Sequence, residues 1–173
     1  SQDVSTITNA INNFQPRAGT SIFVGMKWAV TLLDPSFRSN VSALPGLDPA
    51  FVGRPVDYAT PQQPNSTLKY IVLMTDGKND FSHRIRPQFY NSPSEGQQWA
   101  NFNYWYFYNY RNGGTNPTSY WLEENYYEPV IGDSYSQSIC SAAKDEGIII
   151  FAIAMDAPLE GQNLMRNCAS SAG

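Results

Sequence analysis

Two side chains are placed where they could do chemistry together. Asp76 follows the apolar run Leu68 to Met74 and Thr75, and Gly77 comes directly after it. A carboxylate at the end of a buried strand lies where open parallel sheets bind ligands, and a glycine beside it lets backbone approach closely. Such a group is a natural oxygen donor to a hard cation, although turns and helix caps use aspartate in the same position. The second is Thr20, in Ala18-Gly19-Thr20-Ser21 ahead of a helical stretch. Its hydroxyl, taken alone, is best explained as a helix cap. Paired with Asp76 it acquires another meaning, because a hydroxyl before one helix and an acid ending the next strand can meet at one crevice.

Other groups offer less. His83 is the only histidine, and its neighbours Arg84 and Arg86 form a basic loop rather than a catalytic array. Asp76 and Asp80 are close in sequence, but no base or nucleophile pairs with them. There is no Gly-x-Ser-x-Gly elbow and no glycine-rich phosphate loop before a helix. A non-catalytic protein is therefore expected. Cys140 and Cys168, 28 positions apart, are too few for a disulfide scaffold and wrongly spaced for zinc. Two buried thiols or a single bridge between late helices both fit that spacing.

The elements that would position these groups alternate in type. Val4, Ile7, Ile11 and Phe14 recur at helical spacing until Pro16, and Phe23, Met26, Val30 and Leu33 stripe a second helix that Asp34-Pro35 closes. Residues 35–66 contain six prolines and read as a long surface loop. Leu68 to Met74 is a near-continuous apolar run, the character of a strand covered on both faces of a parallel sheet. Residues 78–133 form an insertion. Twelve of the 24 aromatic residues lie between Trp99 and Tyr127, with only a hint of alternation around Phe102 to Tyr110. A helix capped by Asp133 or Ser134 and stopped by Gly147, a buried strand from Ile148 to Ala154, and a last helix from Leu159 to Cys168 complete the pattern. The rhythm is that of an α/β fold with a mostly parallel sheet flanked by helices.

At this point two blocks resemble a known family. Ala18-Gly19-Thr20-Ser21-Ile22, continuing through Trp28, resembles the second metal-site motif of von Willebrand factor type A domains. Tyr70 to Gly77 resembles the third, where an apolar strand ends in Thr-Asp-Gly, and Gly147 through Ala154 is similar to the next strand. Gly25-Met26-Lys27-Trp28-Ala29, Leu33-Asp34-Pro35 and Leu164 to Ser170 bring it closer to the adhesion-like domain of bacterial tight-adherence (Tad) pilus assembly proteins. About half the chain is covered, in separate blocks. The resemblance implies a Rossmann-like fold and a cation, Mg2+ or else Mn2+ or Ca2+, held by Thr20 and Asp76. Hydroxyl oxygens leave the ion electrophilic, so a carboxylate from a protein partner or pilus component can complete its shell. The family's Asp-x-Ser-x-Ser motif does not occur before Thr20, and Asp133-Ser134-Tyr135-Ser136 is offset from it by one. The expected domain, spanning residues 1–173, is thus partial, its cation site incomplete and open to being empty. The missing N-terminal part would be supplied by further polypeptide of the same or another chain. The resemblance also implies a Cys140–Cys168 disulfide and an extracytoplasmic location, in the periplasm or at the cell surface, on a membrane-anchored parent protein.

The aromatic insertion follows Asp76 and should emerge at the same rim. Packed into a subdomain, its rings would be internal. Exposed, Trp99, Tyr104, Trp105, Tyr106, Tyr108 and Trp121 would form a partner surface, since Tyr and Trp concentrate at binding hot spots. A metal-free scaffold that binds protein or glycan through these rings is the alternative reading. Composition excludes other classes. The net charge is −4 and the four lysines are scattered, which argues against nucleic acid. No apolar stretch approaches the ~20 residues of a membrane span.

Overall fold

The computed structural model describes residues 3–14, 19–60, 62, 67–101 and 123–171. The chain divides into two compact units, one of Ser1–Asp80 with Val130–Gly173 and the other of Phe81–Pro129.

The first unit is built on a parallel strand pair. β1 (Tyr70–Thr75) and β4 (Ile149–Ala154) lie in register from Tyr70 opposite Ile149 to Thr75 opposite Ala154. The inward residues Ile71 and Ile150 are buried against Met26 of α2 (Ile22–Leu33) and against Cys140 and Ala143 of α5 (Pro129–Asp145). This is a parallel sheet flanked by helices, as the apolar runs require. The other face differs from expectation. Tyr70, Val72 and Met74 are 48%, 64% and 57% exposed, and Phe151 and Ile153 are 53% and 40% exposed. Both strands carry apolar residues on both faces, yet among the described residues only one face is covered.

The helices begin and end for local reasons. α1 (Val4–Asn12) is capped by Asp3, whose carboxylate accepts the Ser5 N–H at 3.0 Å, and its apolar stripe of Val4, Ile7 and Ile11 is exposed. α2 stops at Asp34 because a residue before proline avoids the helical region. α5 starts at Pro129, not at Asp133 or Ser134 as the capping residues suggest. Proline costs nothing at the first helical position, where its missing N–H has no partner to lose. Gly147, at φ +77°, stops the chain from continuing the helix. α6 (Leu159–Cys168) closes the unit, and a Cys140–Cys168 disulfide with Cα atoms 5.2 Å apart ties it to α5. Closing a loop of 28 residues contributes about 3–4 kcal/mol by restricting the unfolded chain. Beyond α6 the Ser170 N–H donates to the Ile150 carbonyl at 3.0 Å, and the Ser170 hydroxyl accepts from Ile150 at 2.9 Å.

The proline-rich segment is more regular than a loop. Asp34-Pro35 and Asp48-Pro49 each open a single 3-10 turn, Pro35–Phe37 and Pro49–Phe51, with the aspartate accepting an N–H two residues on. α3 (Arg38–Ser42) follows the first turn. Arg38 reaches the Pro55 carbonyl at 2.9 Å and Asp57 at 2.6 Å. Lys69, 7% exposed, donates to the Leu33 and Val56 carbonyls, each at 2.7 Å, and lies 3.8 Å from the centre of the Tyr58 ring. Burial pushes its amine below the usual lysine range, and the two carbonyls and the ring compensate the buried charge.

The second unit holds β2 (Ser82–Ile85) antiparallel to β3 (Glu123–Tyr127), and α4 (Pro93–Asn101). Arg84 pairs with Glu124 across the strands at 2.7 Å. Regular structure therefore exists inside the insertion, where interleaved rings and amides conceal any period. The alternation around Phe102 to Tyr110 lies outside the described residues.

Candidate functional site

At the carboxyl end of β1 the chain turns sharply and is stitched to two helices. The Thr75 hydroxyl accepts the Gly77 N–H at 3.1 Å, which folds the chain back immediately after the strand. Asp76, at the apex, is exposed, and its carboxylate has no hydrogen bond or ion pair among the described residues. Gly77 lies between two neighbours. A Cβ there would be 3.3 Å from the Thr20 hydroxyl oxygen. On its other side, a Cβ at Gly161 of α6 would run into the Gly77 carbonyl oxygen. Glycine at 161 allows this approach, and at 77 a side chain would press on the Thr20 hydroxyl. Thr20 is therefore packed beside the residue that follows Asp76, and the Gly-Thr turn and the strand-ending acid share one rim.

The turn is held by residues that follow Asp76. The Asp80 N–H donates to the Thr20 carbonyl at 2.8 Å, and the Asp80 carboxylate crowds Gly19, where a Cβ would be 2.6 Å from Oδ2. Asn79 is 1% exposed and joins three segments. Its Oδ1 accepts the Ile22 N–H at 2.8 Å, and its Nδ2 donates to Asp133 Oδ1 at 2.8 Å and to the Ser136 hydroxyl at 3.3 Å. Ser136 in turn donates to the Gly132 carbonyl at 2.8 Å. Gly132 leaves room for Asn79, since a Cβ there would be 3.1 Å from its side chain. Lys78 approaches Glu160 of α6 at 3.7 Å, and the Glu160 carboxyl is held below its usual range by its own backbone N–H and by Lys78.

Ser21 is the N-cap of α2 and makes no side-chain capping bond. The buried Ile22 N–H at the start of the helix is satisfied instead by Asn79, 57 residues away. Thr20 is left at the rim. Asn79 carries no sequence signal that separates it from any other polar residue after a Thr-Asp-Gly turn, and its role emerges only from the fold. Asp133, expected to cap α5, holds Asn79 from the first turns of that helix.

The candidate donors are few. Among the described residues no three His, Cys, Asp or Glu side chains cluster closely enough to hold a metal ion. Thr20 and Asp76 supply at most two kinds of oxygen, a hydroxyl and a carboxylate, and Mg2+ typically takes about six oxygens while retaining several waters. That donor set suits a hard cation with open positions and does not enclose one. Of the expected partner surface, Trp99 is half-buried on α4 and donates its indole N–H to the Phe89 carbonyl at 2.8 Å. Tyr104, Trp105, Tyr106, Tyr108 and Trp121 lie outside the described residues. No helix among the described residues is long and apolar enough to cross a membrane. No protein-family model, curated protein or solved structure matches the chain.

Proposed function

We propose that this chain is a non-catalytic adhesion or pilus-assembly module of the von Willebrand factor A type. It binds a protein partner through a divalent cation at the carboxyl rim of the sheet. The packing of Thr20 against Gly77, next to an exposed Asp76 that has no partner among the described residues, carries this reading. The cation supplies an electrophilic centre with replaceable waters. Thr20 and Asp76 would hold it, and Asn79 fixes the turn that presents them. Recognition then consists of a partner carboxylate taking a water's place, with no bond broken in the partner.

The reading includes further polypeptide, from the same or another chain, which brings the remaining oxygens and covers the open face of β1 and β4. It also includes an extracytoplasmic setting, supported by the Cys140–Cys168 disulfide, because such bonds persist in oxidising compartments. Calorimetric titration with Mg2+ or Mn2+ tests the site. Saturable binding is expected, abolished by Asp76→Ala and weakened by Thr20→Ala. Equal heats in all three proteins would remove the cation from the proposal and leave a metal-free scaffold.

A further inference from the structure

A groove lies between the proline-rich segment and the start of β1, at the opposite end of that strand from Asp76. It encloses about 870 Å3, and its walls are Leu32, Val41, Leu47, Phe51, Leu68 and Tyr70. That volume lies within the roughly 300–1,000 Å3 of small-molecule sites. The charge of its lining is unusual for this chain. Arg54 and Lys69 both line the groove and no acidic residue does, although the whole protein carries a net charge of −4.

The two cations are in different situations. The Lys69 ammonium is occupied by the Leu33 and Val56 carbonyls and by the Tyr58 ring. Nearby Asp57 is taken by Arg38 at 2.6 Å, and Asp34 accepts the Ser36 N–H at 2.7 Å. The Arg54 guanidinium has no side-chain hydrogen bond or ion pair among the described residues. Apart from the hydroxyls of Thr67 and Tyr70, the lining side chains among the described residues offer no neutral hydrogen-bonding groups. A peptide would leave its amides unpaired against such walls. A hydrocarbon would not.

We infer that this groove binds a free single-chain amphiphile with an anionic head, its chain along the apolar walls and its head at Arg54. A guanidinium favours such a head because it offers paired donors to a carboxylate. The proposal is independent of the cation site.

The test is calorimetric titration of the full chain with dodecanoate, below the concentration at which it forms micelles. One saturable site is expected. Arg54→Glu should weaken it roughly tenfold or more without lowering the unfolding temperature, because the guanidinium has no partner to lose among the described residues. Leu47→Asp should abolish binding, and Val72→Asp, on the open sheet face, should leave it unchanged. Dodecanol, which lacks the charge, should bind at least tenfold more weakly, on the same reasoning. Four results would each overturn the inference: no saturable binding, binding indifferent to both groove substitutions, loss of binding in Val72→Asp, and attachment only to anionic phospholipid vesicles.

Discussion

Asn79 shows how one amide can position a whole turn. Removing it by Asn79→Ala leaves the Ile22 N–H without its acceptor and the Asp133 and Ser136 oxygens without their donor. A buried group left unpaired costs about 1–3 kcal/mol, so urea unfolding should show a loss near the upper end of that range. Glycines give a sharper test, because helix propensity and packing make opposite forecasts. Gly25 of α2 has open space where a Cβ would go, whereas a Cβ at Gly161 of α6 meets the Gly77 carbonyl. Gly25→Ala should stabilise by about 0.5–1 kcal/mol. Gly161→Ala should destabilise by about 1–3 kcal/mol through overpacking, measured in the same unfolding experiment. The positions of Asp76 after a strand and Thr20 before a helix were legible in the sequence because local signals mark them: a strand end, a glycine, a helix start. Asn79, Gly161 and Lys69 were not, because each acts on a segment remote in the chain. Asn79 acts across 57 positions and Lys69 across 36.

Among the elements, the 3-10 turn Pro35–Phe37, capped by Asp34, responds to pH. The Ser36 hydroxyl and N–H, helped by the charge on Lys69, hold the Asp34 carboxyl below the ordinary aspartate value. A depressed carboxylate pKa means that the unfolded chain binds more protons in acid than the folded one. Its stabilising contribution is therefore present above the unfolded value and disappears as pH falls through the folded one. Unfolding followed from neutral pH into acid should lose this component in Asp34→Asn, giving a shallower acid dependence than the parent protein. Helices α1, α2, α5 and α6 and the two parallel strands followed from periodicity to within a few residues, whereas α3 and α4 fall in segments read as a loop and an insertion. The 3-10 turns and the start of α5 at Pro129 did not, since a run of prolines reads as a loop and a Ser or Asp inside a helix reads as its cap. The second unit was hidden for a different reason: rings at every other kind of position erase the contrast on which periodicity depends.

For the molecule as a whole, the sheet has one finished side among the described residues. Ile71 faces the core at 5% exposure and Val72, its neighbour, faces outward at 64%. Ile71→Ala should cost about 2–5 kcal/mol. Val72→Thr should change stability by no more than about 0.5 kcal/mol, while lowering the binding of a hydrophobic dye to the open face. Comparable losses for both substitutions would mean that the outward face is packed in solution. The strand edges are unequal as well. Ser170 already occupies backbone groups of Ile150 on β4, while β1 pairs only with β4 among the described residues. Among the described residues the unobstructed edge for a strand that enlarges this sheet is therefore Tyr70–Thr75. A newcomer running parallel to it would finish next to Asp76, so growth of the architecture and completion of the rim would be a single event.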